Sequence, residues 1–185
     1  MAMAIMKPIS RRTILGAALA LPFGALGQAS CGASTPRDME GPFYKPGAPQ
    51  RHSLLEAGAK GEMLILTGSV LSAQCKPVAN ALLDFWHADT DGAYDNSGYR
   101  YRGVQQTDAG GLYRLETVLP ARYPGRPRHI HVKVQAPGRR ALTTQLYFPD
   151  EPRESRDSSY RSALVLALER KDGALRADFR FVVDA

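Results

Sequence analysis

The chain of 185 residues holds four histidines: His52, His87, His129 and His131. The last two form a His-x-His pair inside His129-Ile130-His131-Val132-Lys133-Val134-Gln135, where polar and apolar residues alternate. That period predicts a strand. Successive strand side chains point to opposite faces, so His129, His131 and Lys133 share one face and Ile130, Val132 and Val134 the other. Two imidazoles so placed can grip one metal ion. The same pattern also suits two polar residues on a wet strand face, so the remaining donors decide.

Two cysteines, Cys31 and Cys75, are too few for a cysteine-rich zinc site. A three-histidine site would want a later histidine, and none follows His131. Asp84, Asp89 and Asp91 could complete a ferrous site of two histidines and one carboxylate. Tyr94 and Tyr123 could instead supply phenolate oxygens, hard anionic donors that with two imidazoles favour ferric iron. Tyr123 lies six residues before His129, across a proline-rich loop, and Tyr94 follows a predicted strand that ends at Trp86. Tyr99, Tyr101 and Tyr113 compete with Tyr94, and the spacing from Trp86 and Gly92 selects Tyr94. His87 is expected to be structural or a pocket wall, His52 to be exposed, and Arg139-Arg140 to sit in a surface turn.

These residues need rigid elements beneath them. With 17 glycines and 13 prolines the chain is rich in turns. Strands are predicted over 63–71, 81–86, 111–117, 129–135, 142–148 and 177–183, with a loop over 89–103 and a short helix or turn over 159–170. Short strands at this spacing predict an all-β fold, a β-sandwich of mainly antiparallel strands with long loops. Residues 30–62 show no period and are expected to form an extended arm, held by Phe43 and Tyr44. Residues 63–185 are then the sandwich domain.

Residues 1–29 read as an export signal. Lys7, Arg11 and Arg12 precede an apolar run over 13–26, broken by Pro22, and small residues follow. The run is too short for a comfortable membrane span. The paired arginines directly before it resemble a twin-arginine signal more than a Sec signal, with cleavage expected after Ala29. Ser30 and its neighbours make a poor lipobox for Cys31. The mature protein is expected outside the cytosol, periplasmic or extracellular, where Cys31 could pair with Cys75. Removing the signal takes three basic residues and halves the net charge of +6, so nucleic acid is not expected as a partner.

Several ordered motifs together resemble one family. They are Glu40-Gly41-Pro42-Phe43-Tyr44, Cys75-Lys76-Pro77-Val78-Ala79-Asn80-Ala81, Trp86-His87-Ala88-Asp89-Thr90-Asp91-Gly92-Ala93-Tyr94, Thr107-Asp108-Ala109-Gly110-Gly111-Leu112-Tyr113-Arg114, Leu119-Pro120-Ala121-Arg122-Tyr123-Pro124 and Arg126-Pro127-Arg128-His129-Ile130-His131. The chain, over roughly 36–150 with a tail to 183, is similar to the intradiol ring-cleavage dioxygenases, which include the catechol and protocatechuate dioxygenases. The resemblance implies non-haem ferric iron held by Tyr94, Tyr123, His129 and His131. It implies that Tyr123 doubles as an internal base, that Arg126 stabilises negative charge near the substrate ring, and that Gln145 lines the site. The implied reaction opens a catechol-type ring between its hydroxylated carbons with O2, giving a muconate-type diacid. The catechol branch carries an N-terminal helical region that supports dimers, for which this chain has no room, so a more open pocket is expected. A homo-oligomer is compatible with the chain. The competing expectations are a non-catalytic exported binding module for an aromatic compound, a glycan or a protein partner, and the ferrous site named above.

Overall fold

The computed structural model describes residues 31–149 and 160–185. The expected signal, 1–29, lies outside the described residues, as does the first residue of the 159–170 segment.

Eight strands are present among the described residues: β1 (Met63–Ser72), β2 (Leu82–Trp86), β3 (Arg102–Gln106), β4 (Leu112–Val118), β5 (His129–Gln135), β6 (Leu142–Tyr147), β7 (Leu168–Lys171) and β8 (Ala174–Val183). They form two sheets, ordered β4-β1-β8-β7 and β3-β2-β5-β6. All pairings are antiparallel except β1 with β8. The sheets enclose one core. Leu64 and Leu66 of β1, Leu83 and Phe85 of β2, Leu115 of β4, Ile130 and Val132 of β5, Leu146 of β6 and Phe181 of β8 are all fully buried. Each such side chain contributes roughly 1.5–3 kcal/mol by leaving water. The all-β sandwich expected from the sequence is the fold found.

Two elements differ from expectation. The stretch Arg102–Gln106 is a strand, although the sequence suggested a loop through 103. The described part of the 159–170 segment holds a three-residue 3-10 turn, Ser162–Leu164, and then the polar edge strand β7, rather than a helix.

The strand period leaves the alternate residues of β2, β5 and β6 on the outer face of their sheet. That face is covered by the arm, which crosses it strand by strand. Asp38 meets Tyr147 and Met39 meets Gln145 on β6. Gly41 packs on His131 of β5, and with φ at +71° it suits the residue without a Cβ. Tyr44 meets Asp84 and Trp86 of β2, and the Phe43 carbonyl meets Arg102 of β3. Lys133 clamps the crossing, pairing with Glu40 at 2.6 Å and lying 3.3 Å over the Tyr44 ring. The arm is anchored upstream by a Cys31–Cys75 disulfide and by Thr35, which exchanges two hydrogen bonds with Val182 of β8.

Candidate metal centre

Strand register builds a row across the covered face. Arg102 of β3 stands opposite Trp86 of β2, Trp86 opposite His131 of β5, and His131 opposite Gln145 of β6. The adjoining pair is His129 with Tyr147. Each strand of one sheet therefore contributes a side chain to one site, and backbone hydrogen bonds fix their spacing.

Both histidines are held and both are buried. His129 Nδ1 lies 2.7 Å from the Pro127 carbonyl, which can only accept a hydrogen bond. The Nδ1 therefore carries the proton, and the lone pair sits on Nε2. His131 stacks on Trp86, ring centroids 4.7 Å apart and planes 2° from parallel. The two Nε2 atoms are 3.1 Å apart, and Tyr94 Oη lies 3.4 Å from that of His129. The Tyr123 ring completes the cluster, 5.6 Å from the His129 ring and 5.8 Å from that of Tyr94.

The tyrosines arrive on loops that the sequence stiffens locally. The Asp89 carboxylate accepts the backbone N–H groups of Asp91 and Ala93, and Asp95 accepts those of Ser97, Gly98 and Arg100. Tyr94 is fastened between these two turns, and Phe43 of the arm stacks on its ring at 4.3 Å. The Tyr123 loop is fastened to the same place by Ala121 N–H donating to the Asp89 carbonyl at 2.9 Å. Gly92, at φ +84°, lets the two loops touch, since a Cβ there would stand 2.3 Å from the Arg122 carbonyl oxygen.

Electrostatics prepare these groups for a cation. Burial first, then His129 and Arg126, holds the His131 imidazole well below its ordinary pKa, so it is neutral. Burial, then the neighbouring Tyr123, raises the Tyr94 phenol, with Arg126 and Arg102 opposing. Without a positive ion nearby, this phenol keeps its proton. Two imidazole nitrogens and two phenol oxygens are a donor set that fits a hard trivalent metal.

The remaining predicted residues fall as follows. Arg126 reaches the site, with Nη1 3.2 Å from Tyr123 Oη and Nη2 donating to Gln145 Oε1 at 2.7 Å, so Gln145 also belongs here. The carboxylates of the ferrous alternative are engaged elsewhere. Asp84 accepts from the Tyr44 hydroxyl at 3.0 Å, Asp89 pairs with Arg100, and Asp91 is exposed. Among the described residues no three His, Cys, Asp or Glu side chains converge on a point. His87 is buried between the Ala88 carbonyl and Thr117 Oγ1, each at 2.7 Å, a structural role. His52 is exposed and meets Gln105.

Sequence reasoning missed Arg102, Trp86, Asp38 and Tyr147 as parts of the site. Arg102 is 2% exposed, donates to the carbonyls of Phe43 and Asp95, and lies 5.9 Å over the Tyr94 ring. The signal that could have found Trp86 is strand register, since it is a direct neighbour of His131.

Two histidines on a covered sheet face of a β-sandwich, met by two tyrosines from loops, make a set of nitrogen and oxygen donors suited to one hard metal ion. The chain belongs to the Dioxygenase_C family, described as dioxygenase, whose model matches residues 39–184. It is 35% identical over 171 residues to catechol 1,2-dioxygenase from Acinetobacter baylyi, covering 75% of this chain and 55% of that protein. It is 38% identical over 144 residues to catechol 1,2-dioxygenase 2 from Acinetobacter lwoffii, covering 64% of this chain and 52% of that one. The chain thus spans about half the length of the curated relatives it matches. Among solved structures it is similar to the dioxygenase domain of a dioxygenase carbohydrate-binding protein fusion from the cellulolytic bacterium Streptomyces sp. SirexAA-E. The identity is 48% and the TM-score 0.80, over 83% of this chain and 99% of that one.

Proposed function

We propose that this protein is a ferric, non-haem intradiol dioxygenase that opens a catechol-type ring between its hydroxylated carbons, using O2 and giving a muconate-type diacid. The observation that carries this reading is the convergence of Tyr94, Tyr123, His129 and His131 on one covered face. These four would hold the iron. Bound there, ferric iron would supply Lewis acidity toward an aromatic diol and O2.

The rest is done by the chain. Tyr123 Oη, on the proline-rich loop, takes the proton that a catechol hydroxyl gives up. The Arg126 guanidinium, 3.2 Å from that oxygen, stabilises the negative charge that develops beside it. Gln145 holds Arg126 in that direction. Phe43 covers the two tyrosines, and Gly41 of the arm packs on His131, which keeps water from the buried histidines. The relatives named for catechol support a small aromatic diol as substrate.

The same reading places the protein outside the cytosol, periplasmic or extracellular, after removal of residues 1–29 through a twin-arginine route. The paired Arg11 and Arg12 and the Cys31–Cys75 disulfide support it, because disulfides persist in oxidising compartments. In the mature chain 30–62 is the arm and 63–185 the catalytic sandwich.

A visible spectrum of the iron-loaded protein, before and after a panel of catechols, tests the function. A burgundy protein whose band moves on adding a substrate, with O2 uptake, is expected. A fully iron-loaded but colourless protein would overturn the proposal.

A further inference from the structure

Arg126 comes to the site from a loop, so its long side chain must be held in one direction. Gln145 Oε1 accepts from its Nη2 at 2.7 Å. The Gln145 amide is itself oriented, because its Nε2 donates to the Met39 carbonyl at 2.7 Å, which leaves Oε1 for the arginine. Behind this amide stands Tyr147, fully buried as Gln145 is. Its hydroxyl has one proton and two acceptors in reach, Asp38 Oδ2 at 2.8 Å and Gln145 Oε1 at 3.2 Å. The shorter contact takes the proton. Asp38 Oδ1 also accepts the Met39 N–H at 2.6 Å, and the Asp38 N–H donates to the Thr143 carbonyl. One carboxylate on the arm therefore holds the Met39 N–H and the Tyr147 hydroxyl, and the Met39 carbonyl, one peptide further on, holds Gln145. Met39 adds a direct contact, its Sδ 3.4 Å from Arg126 Nη1.

We propose that Asp38 and Tyr147 are positioning residues for Arg126: through the Met39 peptide and Gln145 they keep the guanidinium against Tyr123 Oη. The proposal rests on the dioxygenase reading above. Each contact in this chain orients the next, so removing one hydroxyl loosens the series and the arginine follows it.

The test uses the full iron-loaded chain with Tyr147→Phe, Asp38→Asn and Asp38→Ala. In Tyr147→Phe, kcat should fall about tenfold with KM within about twofold of wild type, and iron content should be unchanged. The visible band should move to longer wavelength, as in Arg126→Ala, because a phenolate that loses a hydrogen-bond donor gives up charge more readily. Combining Tyr147→Phe with Arg126→Ala should slow the enzyme no further than Arg126→Ala alone. Asp38→Asn, which keeps an acceptor for the hydroxyl, should retain more activity than Asp38→Ala, and it serves if the tyrosine variant fails to fold. Wild-type kcat and band position in these variants would overturn the proposal. So would effects that add to those of Arg126→Ala, or a loss of iron in step with activity, which an arm anchor alone would produce. A wild-type protein that is colourless with iron bound and inert toward catechols would overturn the functional reading instead.

Discussion

Trp86 and His131 lie face to face on adjacent strands, with their ring planes only 2° apart. The indole is 1% exposed and the imidazole fully buried, so each fixes the other's rotamer. Trp86→Ala should cost about 3–5 kcal/mol of stability, as large core truncations do. Iron affinity should fall about tenfold or more, because the ring that aims a ligand is gone. Trp86→Phe should recover part of both. Urea unfolding and competition with a chelator measure the two effects separately.

The donor set makes a second expectation specific. Tyr94→Phe removes one hard oxygen and should lose most of the iron and the visible band, while Tyr99→Phe, whose hydroxyl donates to the Pro46 carbonyl, should keep both. Metal analysis after identical iron loading decides it. Full iron retention and activity in Tyr94→Phe would favour a site built on the two histidines and a carboxylate.

Gly92 joins the two tyrosine loops, and its replacement should disturb both at once. In Gly92→Ala the new Cβ meets the Arg122 carbonyl, and the backbone is already at a positive φ. We expect a loss of about 1–3 kcal/mol and a shifted or weakened visible band. A variant with wild-type colour and stability would show that the loops do not depend on this contact.

His87 should make stability fall in mild acid. Burial, its largest cause, lowers the imidazole pKa from 6.5 to about 4, with Arg102 lowering it and the Ala88 carbonyl and Asp89 opposing. The folded state holds this group neutral while the unfolded chain protonates it near pH 6.5. Its contribution is therefore intact above about pH 6.5 and is lost as pH falls towards about 4, on the order of 3 kcal/mol in full. Urea midpoints from pH 7 to pH 4 should drop less steeply for His87→Gln than for wild type. Parallel slopes would rule out this group as the source.

The parts of this fold that were legible in the sequence are those where alternation is clean. β5 follows its predicted bounds, and Ile130, Val132 and Val134 do face the core. β3 was not legible because its residues, Arg102-Gly103-Val104-Gln105-Gln106, look like a loop. Arg102 and Gln105 are buried by partners far along the chain, the Phe43 carbonyl and His52 among them. β7 is an exposed edge strand with no apolar face to advertise it. At the site, the resemblance carried by local motifs pointed to Tyr94, Tyr123, His129, His131, Arg126 and Gln145, and the structure brings these side chains together. Asp38 and Tyr147 were not found this way, because their roles come from strand register and from where the arm crosses the sheet, and neither is a local property.

The disulfide offers a test in a different medium. Cys31 and Cys75 close a loop with a sequence separation of 44, which restricts the unfolded chain by about 4 kcal/mol on the chain-entropy model. Cys31→Ser with Cys75→Ser should lower the urea midpoint accordingly. Reductant should do the same to wild type and nothing to the double variant.

Thr35 and Val182 exchange two hydrogen bonds across a separation of 147 residues. The strap over the histidines is thus buttoned to the last strand. During synthesis this upstream anchor must wait until β8 has left the ribosome, after residues 38–44 have had β2, β3, β5 and β6 to dock on. Closure of so distant a contact is slow compared with local folding. The upstream end of the strap is therefore among the last parts to settle, and a ribosome-stalled chain ending before β8 should hold the roof over His129 and His131 less firmly.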